Sequence, residues 1–287
     1  MPSQITGYKL LDSGEGRKLE QFGDIIIDRP SSLSSWKRRQ SAELWQRADA
    51  VYAPPNRWEC HGSIRSAWTA SIAGVVMRLE LMSNGQVGLF PEHALYLSSI
   101  SSAADKLRTM KKRELRVLNL FAYTGLATSF CTTLGSAQVT HVDLAKRAIE
   151  WAKINAEANG VASDSVRWIV DDALAFMARE QRKNSLYDII IIDPPSFSRV
   201  SKNNTWTLDE KVPDIVHLVL GVLDAQAGVV FFTNHSSAST SDVTRNIALD
   251  LFNDHNVEIS IRSLALEEES SSRRLPAGSL IVLSHGV

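Results

Sequence analysis

Cysteine is nearly absent from this chain: two residues, Cys60 and Cys131, in 287. That excludes a disulfide framework and a four-thiolate zinc site, and it makes a reducing, cytoplasmic setting the expectation. An excess of one charge is missing too. Lys+Arg number 31 against 32 Asp+Glu, a formal net charge of -1, so bulk electrostatics cannot drive binding to nucleic acid. Any such contact needs a local basic face. No apolar run approaches the roughly 18 residues of a membrane span, and residues 1–13 lack the basic-then-apolar layout of a signal peptide, so no membrane partner is expected. No Cys/His/Asp cluster has ligand spacing, so no metal is expected. There is no internal repeat, and low complexity is confined to short Ser clusters at 31–35, 236–241 and 270–272. What remains is ordinary globular material, 44% hydrophobic and 22% charged, long enough for one large domain or two unequal ones.

The chain changes character near residue 105. Before it, residues 24–28, 75–82 and 86–90 are short β-like runs. The last two are split by Ser83-Asn84-Gly85, where Asn-Gly is a strong turn signal and predicts a hairpin over 75–90. Between residues 30 and 65, Trp36, Trp45 and Trp58 sit among basic residues with Pro54 and Pro55, which reads as loop and short helix. Residues 1–104 are therefore expected to form a small β-containing N-terminal domain, and residues 105–287 a second domain. In the latter the rhythm is strand, helix, strand. Strands are expected at 115–120, 138–142, 166–170, 188–192, 229–233, 257–264 and 279–283. Helices are expected at 126–134, 145–159, 173–179 and 209–223. Strands too apolar to face water on either side, alternating with helices, define an α/β fold: a mostly parallel sheet covered on both faces, closed by an antiparallel hairpin.

In such a sheet ligands bind beyond the carboxyl ends of the strands, where strand order reverses. Those ends carry Phe121, Ala122, Tyr123, Thr124 and Gly125; Asp143 and Leu144; Asp171, Asp172 and Ala173; Asp193, Pro194, Pro195, Ser196 and Phe197; and Asn234, His235 and Ser236. The first turn has one glycine where a dinucleotide pocket wants three, which makes it a weak pyrophosphate cradle but adequate for a nucleoside without phosphate. Asp143, 18 residues past Gly125, stands where an acid accepts from both ribose hydroxyls; capping the next helix is the other job open to it. Asp172, slightly ahead of Asp171, is the candidate acceptor for an adenine amino group, against first-turn helix capping. Asp193-Pro194-Pro195-Ser196-Phe197 leaves a buried strand extended, with carbonyl and carboxylate acceptors and an aromatic face on which a base could stack. Such a lip suits an exocyclic amine or ring nitrogen. His235 is a candidate to take or relay the acceptor's proton.

These strand ends resemble those of the class I S-adenosylmethionine-dependent methyltransferases. More narrowly, Asn119-Leu120-Phe121-Ala122-Tyr123-Thr124-Gly125 followed by Asp193-Pro194-Pro195-Ser196-Phe197 is similar to the bacterial family of large-subunit rRNA base methyltransferases. The resemblance spans roughly residues 75–240. It extends upstream to Leu10-Leu11-Asp12-Ser13-Gly14, Lys18-Leu19-Glu20-Gln21-Phe22-Gly23 and Gly88-Leu89-Phe90-Pro91-Glu92. It implies a Rossmann-like fold and S-adenosyl-L-methionine as cofactor, held at Phe121–Gly125, Asp143 and Asp172 with their neighbours Leu144, Asp171 and Ala173. It places the acceptor at Asp193–Phe197, and Phe90 and Pro91 in the cofactor wall.

One departure matters. Relatives that methylate cytosine carbon carry a cysteine after the fifth strand, where this chain has Asn234-His235-Ser236-Ser237. Cys131 is expected to be buried and inert, and Cys60 has no activating partner. Nitrogen methylation is therefore expected ahead of oxygen, and carbon is disfavoured. Ribosomal RNA is the expected partner, with Lys37-Arg38-Arg39, Lys111-Lys112-Arg113 and Arg273-Arg274 as candidate phosphate contacts and Trp36 and Trp45 as candidate stacking platforms. A protein or small-molecule acceptor, or a module that binds cofactor or RNA without catalysis, are the alternatives. The sequence is silent on oligomeric state.

Overall fold

The computed structural model describes residues 5–53, 55, 57–61, 64, 67–135, 137–201, 204–235, 246, 249 and 257–287. Pro54, Ser236 and Ser237, singled out in the sequence, lie outside the described residues. The chain divides into two compact units, Met1–Tyr96 with Ala265–Ala277, and Leu97–Leu264 with Gly278–Val287. The break expected at 104/105 would have cut a helix, Leu97–Lys111. That helix belongs to the second unit, with Leu97, Ile100, Ala103, Ala104 and Leu107 forming its buried stripe.

The first unit is richer in strands than its sequence announces. Strands β1 (Tyr8–Gly14), β2 (Arg17–Phe22), β3 (Ile25–Pro30), β4 (Ala50–Ala53) and β5 (Arg57–Cys60) form one sheet in that order. The short helix α1 (Ala42–Trp45) lies between β3 and β4. Strands β6 (Ala67–Ile72) and β7 (Val75–Glu80) form a separate antiparallel pair. The hairpin expected over 75–90 is thus displaced: β7 pairs backwards with β6, through Ala73 and Gly74, both at positive φ. The Asn84-Gly85 turn does form, with Met82 N–H donating to the Gln86 carbonyl at 2.9 Å and Glu80 N–H to that of Val87 at 3.1 Å. Residues 86–90 nevertheless add no strand.

The second unit is a seven-stranded sheet. After α2 (Leu97–Lys111) come β8 (Leu115–Leu120), α3 (Leu126–Thr133), β9 (Ala137–Asp143), α4 (Lys146–Ala158), β10 (Val166–Val170), α5 (Ala173–Arg182) and β11 (Ile189–Ile192). A two-stranded arm, β12 (Phe197–Ser201) with β13 (Asn204–Thr207), follows, then α6 (Leu208–Val222), β14 (Gly228–Asn234), β15 (Glu258–Glu267) and β16 (Arg274–His285). Strand order is β10-β9-β8-β11-β14-β16-β15. The first five are parallel to their neighbours, and β16 is antiparallel to β14. Strands β11 and β14 are buried at every residue, as strands covered by helices on both faces must be. Leu118, Leu120, Ile190, Ile192, Val230 and Phe232 pack in one core cluster with Phe176, Met177, Ile215 and Val219 of the covering helices. Strand order reverses between β8 and β11, so the crevice for a ligand lies between their carboxyl tips.

Candidate active site

The β8 tip leads into α3 through strained backbone. Phe121 and Tyr123 stand at φ 54° and 48°, and Gly125, which opens α3, at 84°. The left-handed region is costly for residues with a Cβ, and such outliers persist where the surroundings enforce them and concentrate at functional sites. Glycine at 125 answers a second demand: a Cβ there would stand 3.0 Å from that of Ala152 on α4. The loop is tied down by Ala122 N–H to the Val142 carbonyl at 3.1 Å, and by the fully buried Asn155 amide donating to the Thr124 carbonyl at 2.8 Å. Beneath it, Asn119 donates to Thr128 Oγ1 at 2.9 Å, and Thr128 Oγ1 lies 2.8 Å from His141 Nδ1. Burial presses the His141 pKa down to about 3, against a raising effect from the Tyr123 backbone. Its imidazole is therefore neutral at pH 7.

Asp143, at the tip of β9, joins two of these loops. Its Oδ2 accepts from Tyr123 N–H and its Oδ1 from Ala145 N–H, both at 2.8 Å. Burial raises its pKa, opposed by those two hydrogen bonds. Asp143 is not the N-cap of α4: Ala145 holds that position, with no side-chain cap bond, and on that side Asp143 accepts from the N–H of Ala145 itself. Beside it Leu144 is 57% exposed, an apolar surface at the β9 tip. Asp171 N–H donates to the Asp143 carbonyl at 3.1 Å. The Asp171 carboxylate is bonded to Arg179 and to Asp172 N–H. Asp172 is the N-cap of α5, its Oδ1 accepting from Ala175 N–H at 2.9 Å, and Ala173 is buried.

Across the crevice, Asp193 follows β11. Its Oδ1 accepts from Thr233 Oγ1 and lies 2.9 Å from His235 Nε2. Pro194 is buried while Pro195 is exposed. The Trp206 indole N–H donates to the Pro195 carbonyl at 2.9 Å, and its ring lies 5.4 Å from that of Phe121, centre to centre. That contact links the proline lip to the β8 loop. Phe197, at the root of the β12–β13 arm, is 59% exposed. The structure thus brings the five strand tips of the second unit together. Phe90 and Pro91 lie in the first unit, at the start of a 3-10 helix, with the Phe90 ring 5.8 Å from that of His93.

Of the sequence expectations for RNA contact, Trp45 as a stacking platform is corrected; the expected burial of Cys131 is met. Five residues of the basic runs form ion pairs with acids near or far along the chain. Lys111 and Arg113 pair with Asp188 and Asp224, Arg273 with Asp12 and Glu268, and Arg274 with Glu267. Arg38 pairs with Glu15 and lies 3.8 Å over the Trp45 ring. Trp45 is itself buried, its indole N–H on Asp12, so it offers no stacking face; the Trp36 N–H is held by Ser13. Cys131 is buried, and desolvation lifts its thiol to about 12. Asn155, Thr233 and Gly278 belong to the site's frame and were missed, because single polar or small residues in apolar runs carry no local signature.

A family model for S-adenosylmethionine-dependent methyltransferases matches residues 34–223, more than half of the chain. The chain belongs to that family, whose cofactor is S-adenosylmethionine. It is 32% identical over 201 residues to the Ribosomal RNA large subunit methyltransferase K/L of Vibrio cholerae, covering 70% of this chain and 26% of that protein. To the protein of the same name from Shewanella pealeana it is 32% identical over 213 residues, 74% of this chain and 28% of that one. It therefore spans about a quarter of the length of these relatives. The crystal structure of the SAM-dependent methyltransferase from Agrobacterium tumefaciens superposes with TM-score 0.89 at 30% identity, covering 99% of this chain and 92% of that one. A methyltransferase structure from Streptococcus mutans, 16% identical, shares the fold with TM-score 0.77 over 99% of this chain and 76% of that one. The residues present are compatible with that cofactor: each Asp143 oxygen accepts a single backbone N–H at the β9 tip and keeps a lone pair for a further donor.

Proposed function

We propose that the chain transfers the methyl group of S-adenosylmethionine to a base nitrogen of large-subunit ribosomal RNA. The observation that carries this is the lip Asp193-Pro194-Pro195-Ser196-Phe197, whose carboxylate is held from β14 beside the cofactor loop. The bound cofactor supplies a methyl carbon on a sulfonium with a neutral leaving group, so the protein's task is placement and exclusion of water. In this reading Phe121, Ala122, Tyr123, Thr124 and Gly125 receive the methionine end. The remaining lone pairs of Asp143 accept from the ribose hydroxyls. Leu144 and Ala173 flank the adenine, and Asp172, with Asp171 beside it, accepts from its amino group. Asp193 and the Pro194 and Pro195 carbonyls accept the N–H bonds of the substrate amine, which aims the nitrogen lone pair at the methyl carbon. Phe197 stacks on the base, and His235 takes up the proton released.

Nitrogen is preferred over carbon because the cysteine expected for a covalent adduct has no counterpart at residues 234–237, and Cys131 is a buried, protonated thiol. The name of the Vibrio and Shewanella relatives, ribosomal RNA large subunit methyltransferases, supports rRNA as substrate. The internal pairing of the basic runs favours a second reading, a protein or small-molecule acceptor. Mass spectrometry of rRNA nucleosides from a strain lacking the protein decides between them. Loss of one methylated base supports the rRNA reading, and an unchanged profile rejects it.

A further inference from the structure

We propose that Thr233 is a positioning residue for methyl transfer: its hydroxyl, with the His235 ring, fixes the rotation of the Asp193 carboxylate toward the substrate N–H. The inference rests on the reading of Asp193 as part of the acceptor lip. An aspartate leaving a strand is ordinarily oriented by backbone N–H groups a residue or two further on. Here the next two residues are Pro194 and Pro195, which have none. Those two positions therefore offer no donor, and the neighbouring strand brings two side chains to the carboxylate.

Strands β11 and β14 run parallel with Ile192 opposite Phe232, so the ladder brings Asp193 level with Thr233. Residues two apart on a strand share a face, which puts His235 on the same side. Both reach one oxygen: Thr233 Oγ1 donates to Asp193 Oδ1, and His235 Nε2 lies 2.9 Å from it. Thr233 is fully buried in a strand otherwise built of apolar residues up to Asn234, where a hydroxyl without a partner is costly. A carboxylate oxygen accepts, so the hydrogen on the Thr233 contact is the hydroxyl's; the Ile192 carbonyl, 3.3 Å from Thr233 Oγ1, is the other acceptor within its reach. Gly278 completes the cradle from the far side. At φ 102°, a Cβ there would stand 2.7 Å from His235 Nδ1 and 2.6 Å from the Asn234 carbonyl oxygen. Only a bare glycine leaves the ring its place.

Thr233→Val replaces the hydroxyl by a methyl group of similar size, and Thr233→Ser keeps the hydroxyl. With rRNA from a strain lacking the protein and labelled S-adenosylmethionine, the valine variant is expected to lose about 10- to 100-fold in kcat. The KM for S-adenosylmethionine stays within about twofold, and the serine variant recovers to within about threefold of the unmodified enzyme. A valine variant as fast as the unmodified enzyme, or a serine variant as slow as valine, overturns the assignment. A crystal structure of Thr233→Val reads the same point without turnover. The Asp193 carboxylate should be rotated or split between conformers; an unmoved carboxylate still bonded to His235 would refute the proposal. If the unmodified enzyme leaves that rRNA untouched, the substrate reading fails, and the crystal structure still decides the role of Thr233.

Discussion

The smaller first unit buries Asp12, Glu20, Asp28, Arg29 and Glu268, whereas in the larger second unit the buried charged residues are Glu180 and Asp188, among those described. In the first unit the charges form closed groups. Glu20 meets Arg29, Lys18 and the Tyr8 hydroxyl, and Asp12 accepts from Arg39 N–H, Gln40 N–H, the Trp45 indole and Arg273. In the second unit the main core cluster joins aliphatic residues with Phe176, Tyr187, Trp206 and Phe232, and buried polar groups fall in two sets: Asn119, Thr128 and His141 beneath the β8 loop with Thr233 beside Asp193, and the ion-paired Asp188, just before β11, and Glu180, on α5. Both units hold buried charge in pairs, the first at more positions, and the second adds uncharged polar groups under its strand tips.

Substitutions test this difference in order of size. Glu20→Gln removes the carboxylate that Arg29 and Lys18 share, leaving only the weaker influence of Glu92, and should destabilise the first unit by about 3–5 kcal/mol in urea unfolding. A loss below about 1 kcal/mol would mean that the cluster is solvated in solution. In the second unit, Ile190→Val trims one methylene from the β11 core and should cost about 0.5–1.5 kcal/mol. Lys146→Ala breaks only the exposed pair with Glu150 at 3.8 Å, and a change above about 0.5 kcal/mol would be unexpected.

Acid should separate the two units as well. Burial holds His141 at about 3 against its ordinary 6.5. The unfolded chain therefore takes up that proton first, and the second unit's stability, intact above about pH 6.5, falls as pH drops toward 3. For Glu20, burial pushes upward, but the charges of Arg29 and Lys18 and the hydrogen bonds from Arg29 and Tyr8 outweigh it and hold the carboxyl at about 2. Its contribution is intact above about pH 4.5 and disappears between there and 2. Urea titrations followed by NMR resonances of each unit should show the second weakening first. His141→Gln should remove its early loss, and an identical onset in both units would contradict the assignment.

The parallel sheet was legible because β8, β9, β10, β11 and β14 are apolar runs ending in Phe121, Asp143, Asp171, Asp193 and Asn234-His235, each on the strand tip the pattern implied. The first unit was less legible. Val75–Glu80 chooses Ala67–Ile72 over residues 86–90, a competition that local turn propensity cannot settle. The ion pairs of the basic runs were not legible where the partners lie far along the chain, as Lys111 and Asp188 do. The motifs around Asp12 and Glu20 stood out in the sequence, and the structure gives them a physical role: both carboxylates are buried at the centres of ion clusters. Thr233 and Gly278 were invisible for the opposite reason, since one hydroxyl or one missing side chain leaves no pattern.

Calorimetric titration of the chain and of Asp143→Ala with S-adenosylmethionine tests the account most directly. The unmodified chain should bind one equivalent, and the variant should bind about 10- to 100-fold more weakly, the size of lost hydrogen bonds to a charged acceptor. Equal affinity in the two proteins would contradict the placement of the cofactor at these strand tips.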